Sequence, residues 1–277
     1  MRVCQRDFSQ IMKYFRLFQL AMHRGAYIRS RSLVWFLMTI FVPGILCMYW
    51  IVAIRQNPAL GKSLSTTFMV TYYLTVVTMA SLIVSHIKDH VARQDIQQGE
   101  FSQYLLRPFS YYVHYILFEE IPYRVIQGGY GIVVITLIAI FFPNLIQFSL
   151  SPLIILYTVA AMSIGFFICF TLEMILGLLA LWFYDLRLFH SAYEVMFILL
   201  GGWNMPLFLF PKAIYTAALF TPFPAVIYVP TMLLSGKIST VEAPLWLLYQ
   251  MVWLVVILIV HAFIWRHGLR KFTAAGI

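Results

Sequence analysis

The sequence predicts an all-α integral membrane protein. Six transmembrane helices are expected, with both termini cytosolic, a basic amphipathic interfacial helix at the N-terminus and a re-entrant outer segment between helices five and six. Three observations predict this. Hydrophobic residues make up 62% of the chain and charged residues 10%, where soluble domains carry about 45–50% and about 25%. So little charge cannot cover a globular surface. Apolar runs of about twenty residues recur, each long enough for a hydrocarbon core of about 30 Å. The cations fall mostly in alternate connecting segments, as the positive-inside bias requires. The net charge of +9 is therefore read as topology, and no nucleic-acid partner is expected.

The first element is residues 1–31, a cytosolic amphipathic helix. Phe8, Ile11, Met12, Phe15 and Phe18 recur at helical spacing, and seven cations stand among them, Arg2, Arg6, Lys13, Arg16, Arg24, Arg29 and Arg31. A basic helix with an aromatic face lies flat on an anionic leaflet. So many cations exceed the short basic region of a cleavable signal peptide, and none is expected. Residues 32–277 form a single transmembrane domain. Its first span is about 32–54, with Pro43-Gly44 inside it. The following short loop contains Gly61-Lys62-Ser63. A phosphate-binding loop needs glycine where Gln56 stands, and a preceding strand, so nucleotide binding is rejected here.

The second span is about 64–87. His86 and His90 are four apart on one expected helix face, but Ile87 occupies the place of the glutamate of a zinc-protease motif. Cys4, Cys47 and Cys169 form no metal or disulfide pattern. Residues 88–111 are the longest polar run between the first and last spans. Asp95 to Gly99 suits a short helical turn closed by a left-handed glycine, and Pro108 ends the segment. Ile96, Phe101, Tyr104, Leu105 and Leu106 give this run an apolar side. It reads either as a solvated loop or as a docking helix for a cytosolic partner.

The third span is about 122–142, approached by an interfacial helix from Tyr112 that sets Glu119, Glu120 and Arg124 near the headgroups. Gly128, Gly129 and Gly131 offer a surface for close helix packing. The fourth span, about 152–183, carries one acid, Glu173, near its inner end. The fifth span is about 191–210, interrupted by Gly201-Gly202. Residues 213–234 are long enough to cross but contain Pro222, Pro224 and Pro230. A crossing there would send the basic C-terminus outside, so the segment is expected to enter the outer leaflet and return, as broken backbone can where protein buries it. The sixth span is about 244–265, followed by Arg266, Arg270 and Lys271.

In order along the whole chain, these marks resemble the permease subunit of a type-2 ABC transporter, in the branch with paired small permeases. The residues that carry the resemblance are Asp95, Ile96, Gly99, Phe101, Tyr104, Leu105, Leu106 and Pro108 in the first inner loop, the run Gly177–Phe183, the proline-rich outer segment, and the Trp265-Arg266 to Phe272 end. The resemblance implies an ATP-driven exporter in the bacterial cytoplasmic (inner) membrane, moving an amphiphilic, drug-like or lipid- or glycan-linked substrate. It implies a dimer with a second permease copy or homologue, contact with membrane lipid, and two cytosolic ABC ATPase subunits. ATP and Mg²⁺ would sit on those subunits. No cofactor, metal or catalytic residue is expected on this chain. The residues implied in ATPase coupling are Arg93, Asp95, Ile96, Gly99, Glu100, Phe101 and Tyr104. Asp95, Glu100 and Arg93 would supply charge pairs, and Ile96, Phe101 and Tyr104 packing. Glu173, Pro222 and Pro224 are the gate or pathway residues. The alternatives are a proton-coupled secondary transporter or an intramembrane enzyme, either of which would use Glu173.

Overall fold

The computed structural model describes residues 29–57, 64–106 and 111–271, with Gln19 and Met22 as isolated positions. The expected N-terminal helix lies almost wholly outside the described residues, as do Gly61-Lys62-Ser63, Pro108 and Phe272. Among the described residues every regular element is helical, with no strand. Among the described residues five stretches are long and apolar enough to cross a membrane, Phe36–Gln56, Thr66–Gln97 with a break at 84–87, Tyr111–Phe141, Pro152–Leu181 and Ala243–Leu269.

Helix α1 (Arg29–Gln56) continues through Pro43. Helix α2 (Thr66–Ile83) starts on Ser65, whose hydroxyl accepts the Phe68 N–H at 3.0 Å, satisfying a donor that the first turn leaves free. This helix is the central one. Met69, Tyr72, Tyr73, Val76 and Ile83 are all essentially inaccessible, and α2 packs against α1 and against the helices that follow. It ends sooner than the second span expected at 64–87. Val84 turns to an extended conformation, residues 84–87 are not helical, and helix resumes at α3 (Lys88–His90). His86 and His90 therefore do not share a helix face. A widened π-turn, Val91–Gln97, follows, then α4 (Phe101–Leu106).

Helix α5 (Tyr111–His114) and a second π-turn, Tyr115–Glu120, lead into α6 (Ile121–Phe141). Gly128 and Gly131 of α6 face Leu82 and Thr78 of α2 so closely that neither has room for a Cβ. The Leu82 and Thr78 side chains thereby pack directly on the α6 backbone, as small-residue surfaces permit. Helix α7 (Pro152–Leu178) is capped by Ser151, with Pro152 in its first turn, where the missing N–H costs nothing. It runs on as a tighter turn over Leu179–Leu181.

The fifth span is the main departure. Helix α8 (Arg187–Leu200) has 14 residues, about 21 Å at 1.5 Å per residue, and falls short of a crossing. It stops at Gly201-Gly202, where Gly202 has φ +80°. Tyr72 of α2 donates to the Gly202 carbonyl, and Tyr73 to that of Asn204 at 2.6 Å. The proline-rich stretch holds two short helices, α9 (Lys212–Leu219) and α10 (Tyr228–Leu234), of 8 and 7 residues, neither long enough to cross. The second part of the turn between them, Phe223 to Ile227, is buried. Gln250 donates to the carbonyls of Ala161 at 3.0 Å and Ala225 at 2.6 Å, and Gly165 lies against the Val226 carbonyl. Helix α11 (Ala243–Gly268) begins after a reciprocal Ser239–Glu242 pair, which joins side chains to free backbone donors as a capping box does. It packs along α7. Its outward face, with Leu245, Val252, Ile259 and Phe263, is exposed and apolar, as expected of a surface facing lipid or another apolar chain.

Candidate functional site

Chemistry-bearing side chains gather at the end of the bundle that carries α3 and α4, in two linked places. The first is the inner loop. Asp95, at zero exposure, lies in the first π-turn. Its Oδ2 accepts from Tyr115 at 2.6 Å and from Tyr111, and its Oδ1 is 4.0 Å from His90 Nδ1. A buried carboxylate is tolerable only with such donors. Both π-turns contribute, Asp95 from one and Tyr115 from the other. Irregular turns of this kind recur at functional sites.

Around this centre is an aromatic cluster. Phe101 meets the rings of Tyr111 at 5.1 Å and Trp265 at 5.6 Å, and Tyr104 meets Tyr111 at 5.2 Å, in edge-on geometries favoured by the ring quadrupoles. Tyr112 also bonds His261 of α11 at 3.0 Å. The loop is thereby fixed to α11. Ile96 and Phe101 are buried in the same cluster. Asp95, Ile96 and Phe101 are thus turned into this chain's own core, where they hold the loop in shape. Tyr104 is half-buried, while Arg93, Gln94, Gln98 and Glu100 are exposed. Gly99 has φ +79°, the left-handed conformation its sequence position suggests.

The second place is an ionic group where the loop meets α7. Lys88 and Glu173 are both nearly inaccessible. The Lys88 ammonium is 3.4 Å from Glu173 Oε1 and 3.2 Å from Glu194 Oε1, and its backbone N–H donates to Glu173 Oε2 at 3.1 Å. Lys88 also lies 5.7 Å from the centre of the Tyr193 ring. Nearby, Arg124 donates to Glu120 at 3.1 Å and to Gln127 Oε1 at 3.4 Å, and all three residues are buried. Glu120 and Arg124, expected near the headgroups, are enclosed within the chain, and each answers the other's charge four residues apart on one helix face.

These charges line a partly open cavity of about 650 Å³, inside the range of about 300–1,000 Å³ usual for small-molecule sites. Lys88, Arg124, Gln127, Glu173 and Glu194 stand at one end. Apolar walls come from Met38 and Val42 of α1, Val77 of α2, Phe197 of α8, and Trp203 beyond it. The arrangement suits an amphiphile. Glu194 also borders a second, polar cleft of about 540 Å³ with Asp89, Arg93, Gln97, Arg187 and His190. There Gln97 donates to the Tyr184 carbonyl at 2.8 Å, and His190 lies 3.2 Å from Asp89. The exposed Arg187 guanidinium, 2.6 Å from Asp185, holds that carboxyl down at about 2, so the pair stays ionised at neutral pH.

Glu173 is thus brought to the inner loop. Pro222 and Pro224 stand in a different setting, the turn before α10, where Pro222 is half-buried and Pro224 buried. Sequence reasoning missed Lys88 as a partner for Glu173, and missed Glu194 and Gln127. Glu194 had a signal, being an acid inside the expected fifth span. Lys88 and Gln127 had none, since both read as ordinary polar residues at the ends of spans.

Comparison with protein-family models matches residues 32–276 to the model described as ABC-2 family transporter protein. No curated protein matches the chain.

Proposed function

Because the chain belongs to the ABC-2 family of transporter proteins, we propose that it is the permease of an ATP-driven exporter whose separate ATPase subunits seat on the inner loop. It is a membrane protein and a transport component. In the proposed complex two permease chains, identical or homologous, pair in the bacterial cytoplasmic membrane. Each is served by one ATPase subunit that binds ATP and Mg²⁺.

The observation that carries this reading is the build of the loop. It is a folded unit with its own aromatic core, joined to α7 through Lys88 and Glu173 and to α11 through Phe101, Tyr111 and Trp265. A push on such a unit moves two long helices together. The proposed contact surface is its exposed rim, Arg93, Gln98 and Glu100, with Gly99 allowing close backbone approach. Asp95, Ile96, Phe101 and Tyr104 support that rim from behind. Glu173 favours a structural part over proton carriage, because an ammonium and a backbone N–H already engage both its oxygens. The re-entrant outer gate, with Pro222 and Pro224, belongs to the same proposal. It is supported by two helices too short to cross.

The test is affinity purification of the tagged chain from detergent-solubilised membranes, with mass spectrometry of its companions. A stoichiometric soluble ATPase is expected, and it should be lost from the Arg93→Glu/Glu100→Lys double variant. Both positions are exposed, so the variant keeps its fold. Recovery of the permease alone, from membranes in which the neighbouring genes are expressed, overturns the reading.

A further inference from the structure

The cavity has one feature that the ion pairs leave unanswered. Arg124 takes the oxygen of the Gln127 amide at 3.4 Å, which turns the Gln127 nitrogen away from it. That nitrogen is buried on the cavity wall and has no hydrogen-bond partner. An unmet buried donor is costly, so the site is incomplete without an acceptor. With His86, which also lines the cavity, taken as neutral, the four charges of the lining, Lys88, Arg124, Glu173 and Glu194, sum to zero, and Glu120 behind Arg124 tips the group towards negative. A net anion is therefore disfavoured. A bare cation, on the other hand, would leave the Gln127 donor unmet. Glu194 is the one wall carboxylate with an open side, its side chain 58% exposed, and Trp203 on the same wall offers an indole ring of the kind that attracts ammonium groups.

We propose that this cavity within a single chain binds an amphiphile with a zwitterionic headgroup. Its anionic part meets Arg124 and Gln127, its ammonium meets Glu194 and Trp203, and its tail lies along α1 and α2. The apolar residues Met38, Val42 and Val77 supply the tail's surface. The proposal deepens the permease reading and rests on it for the occupant's role as cargo. The binding itself stands on the cavity alone.

The test uses the purified full chain in a non-ionic maltoside detergent, with no ATPase present. Three single-chain probes with the same spin-labelled tail are titrated in, bearing phosphocholine, sulfate or trimethylammonium, and tryptophan quenching is read. Phosphocholine should give saturable quenching, reversed by unlabelled phosphocholine and missing from Trp203→Phe. The other two headgroups should bind at least about tenfold more weakly, the value of one charge-assisted hydrogen bond. Gln127→Leu should weaken phosphocholine binding about tenfold while the chain keeps its fold, because it removes the unmet donor, and Arg124, though it loses the 3.4 Å bond to Gln127 Oε1, keeps its 3.1 Å bond to Glu120. Glu194→Gln should erase the preference for phosphocholine over sulfate. Non-saturable quenching, equal binding of the three headgroups, or an unchanged affinity in Gln127→Leu each overturns the proposal. None of these results bears on ATPase co-purification, so the two readings fail separately.

Discussion

Replacing Lys88 by methionine tests the ionic joint between the inner loop and α7. Methionine keeps the length of the side chain and removes its charge. Glu173, at 1% side-chain exposure, then loses its only direct cationic contact among the described residues. Breaking a buried pair from one side costs about 3–5 kcal/mol, because the remaining charge stays enclosed. The lower part of that range applies, since the Lys88 backbone N–H still reaches Glu173 at 3.1 Å. Glu194 adds little, as its side chain is more than half exposed and exposed pairs contribute about 0–1 kcal/mol. Lys88→Met should therefore cost about 3 kcal/mol. Glu173→Gln should cost less, about 1–2 kcal/mol, because Lys88 keeps Glu194. The double variant Lys88→Met/Glu173→Gln should recover most of the loss, since it leaves no enclosed charge at this joint without its partner. The assay is SDS-induced unfolding in mixed micelles, followed by tryptophan fluorescence, with the four proteins forming a double-mutant cycle. A loss below about 0.5 kcal/mol for Lys88→Met, or additive losses in the double variant, would refute the reasoning.

Three further outcomes follow from the same geometry. Tyr115→Phe removes a 2.6 Å bond to Asp95 and another to His90, and should lower stability by about 1.5–3 kcal/mol, read in the same unfolding titration. Gly99→Ala imposes a side chain on φ +79°, which should cost about 1–2 kcal/mol and raise amide exchange in residues 91–106. Gly165→Ala would place a Cβ 2.7 Å from the Val226 carbonyl and should lose about 1–3 kcal/mol by overpacking. Gly129→Ala, with nothing within 4 Å, should be neutral or stabilising by up to about 1 kcal/mol. The thermal midpoints of these two glycine variants check the contrast.

Long apolar runs were legible because they have no competing interpretation. Helix α6 occupies Ile121–Phe141 where a span is expected at 122–142, and α11 covers Ala243–Gly268 around an expected 244–265. The break at 84–87 was not legible, since Val84-Ser85-His86-Ile87 contains neither proline nor glycine. Just beyond the break the Lys88 N–H is taken by Glu173 of α7, a contact that no local reading shows. The expected fifth span failed at Gly201-Gly202. The glycines were seen, but their role depends on Tyr72 and Tyr73, over a hundred residues away. At the site, the register of Asp95 to Gly99 and the left-handed glycine could be read locally. Whether Asp95 faces a partner or its own core could not, because Tyr111 and Tyr115 become its donors only when the two π-turns meet. The net charge of the cavity was equally hidden, being assembled from α3, α6, α7 and α8.

The unwound residues 84–87 change how force would travel. They lack the continuous ladder of backbone bonds that stiffens a helix, so α2 and the inner loop are coupled as two rods by a hinge. Immediately beyond the hinge, Lys88 fastens the loop to α7, and Trp265 fastens it to α11. A torque delivered to the loop is then borne by α7 and α11, while the central helix stays still as a pivot. Because the cavity has α2 on one side and Glu173 of α7 on the other, such a rotation would shear its two walls past one another and alter the width of the site.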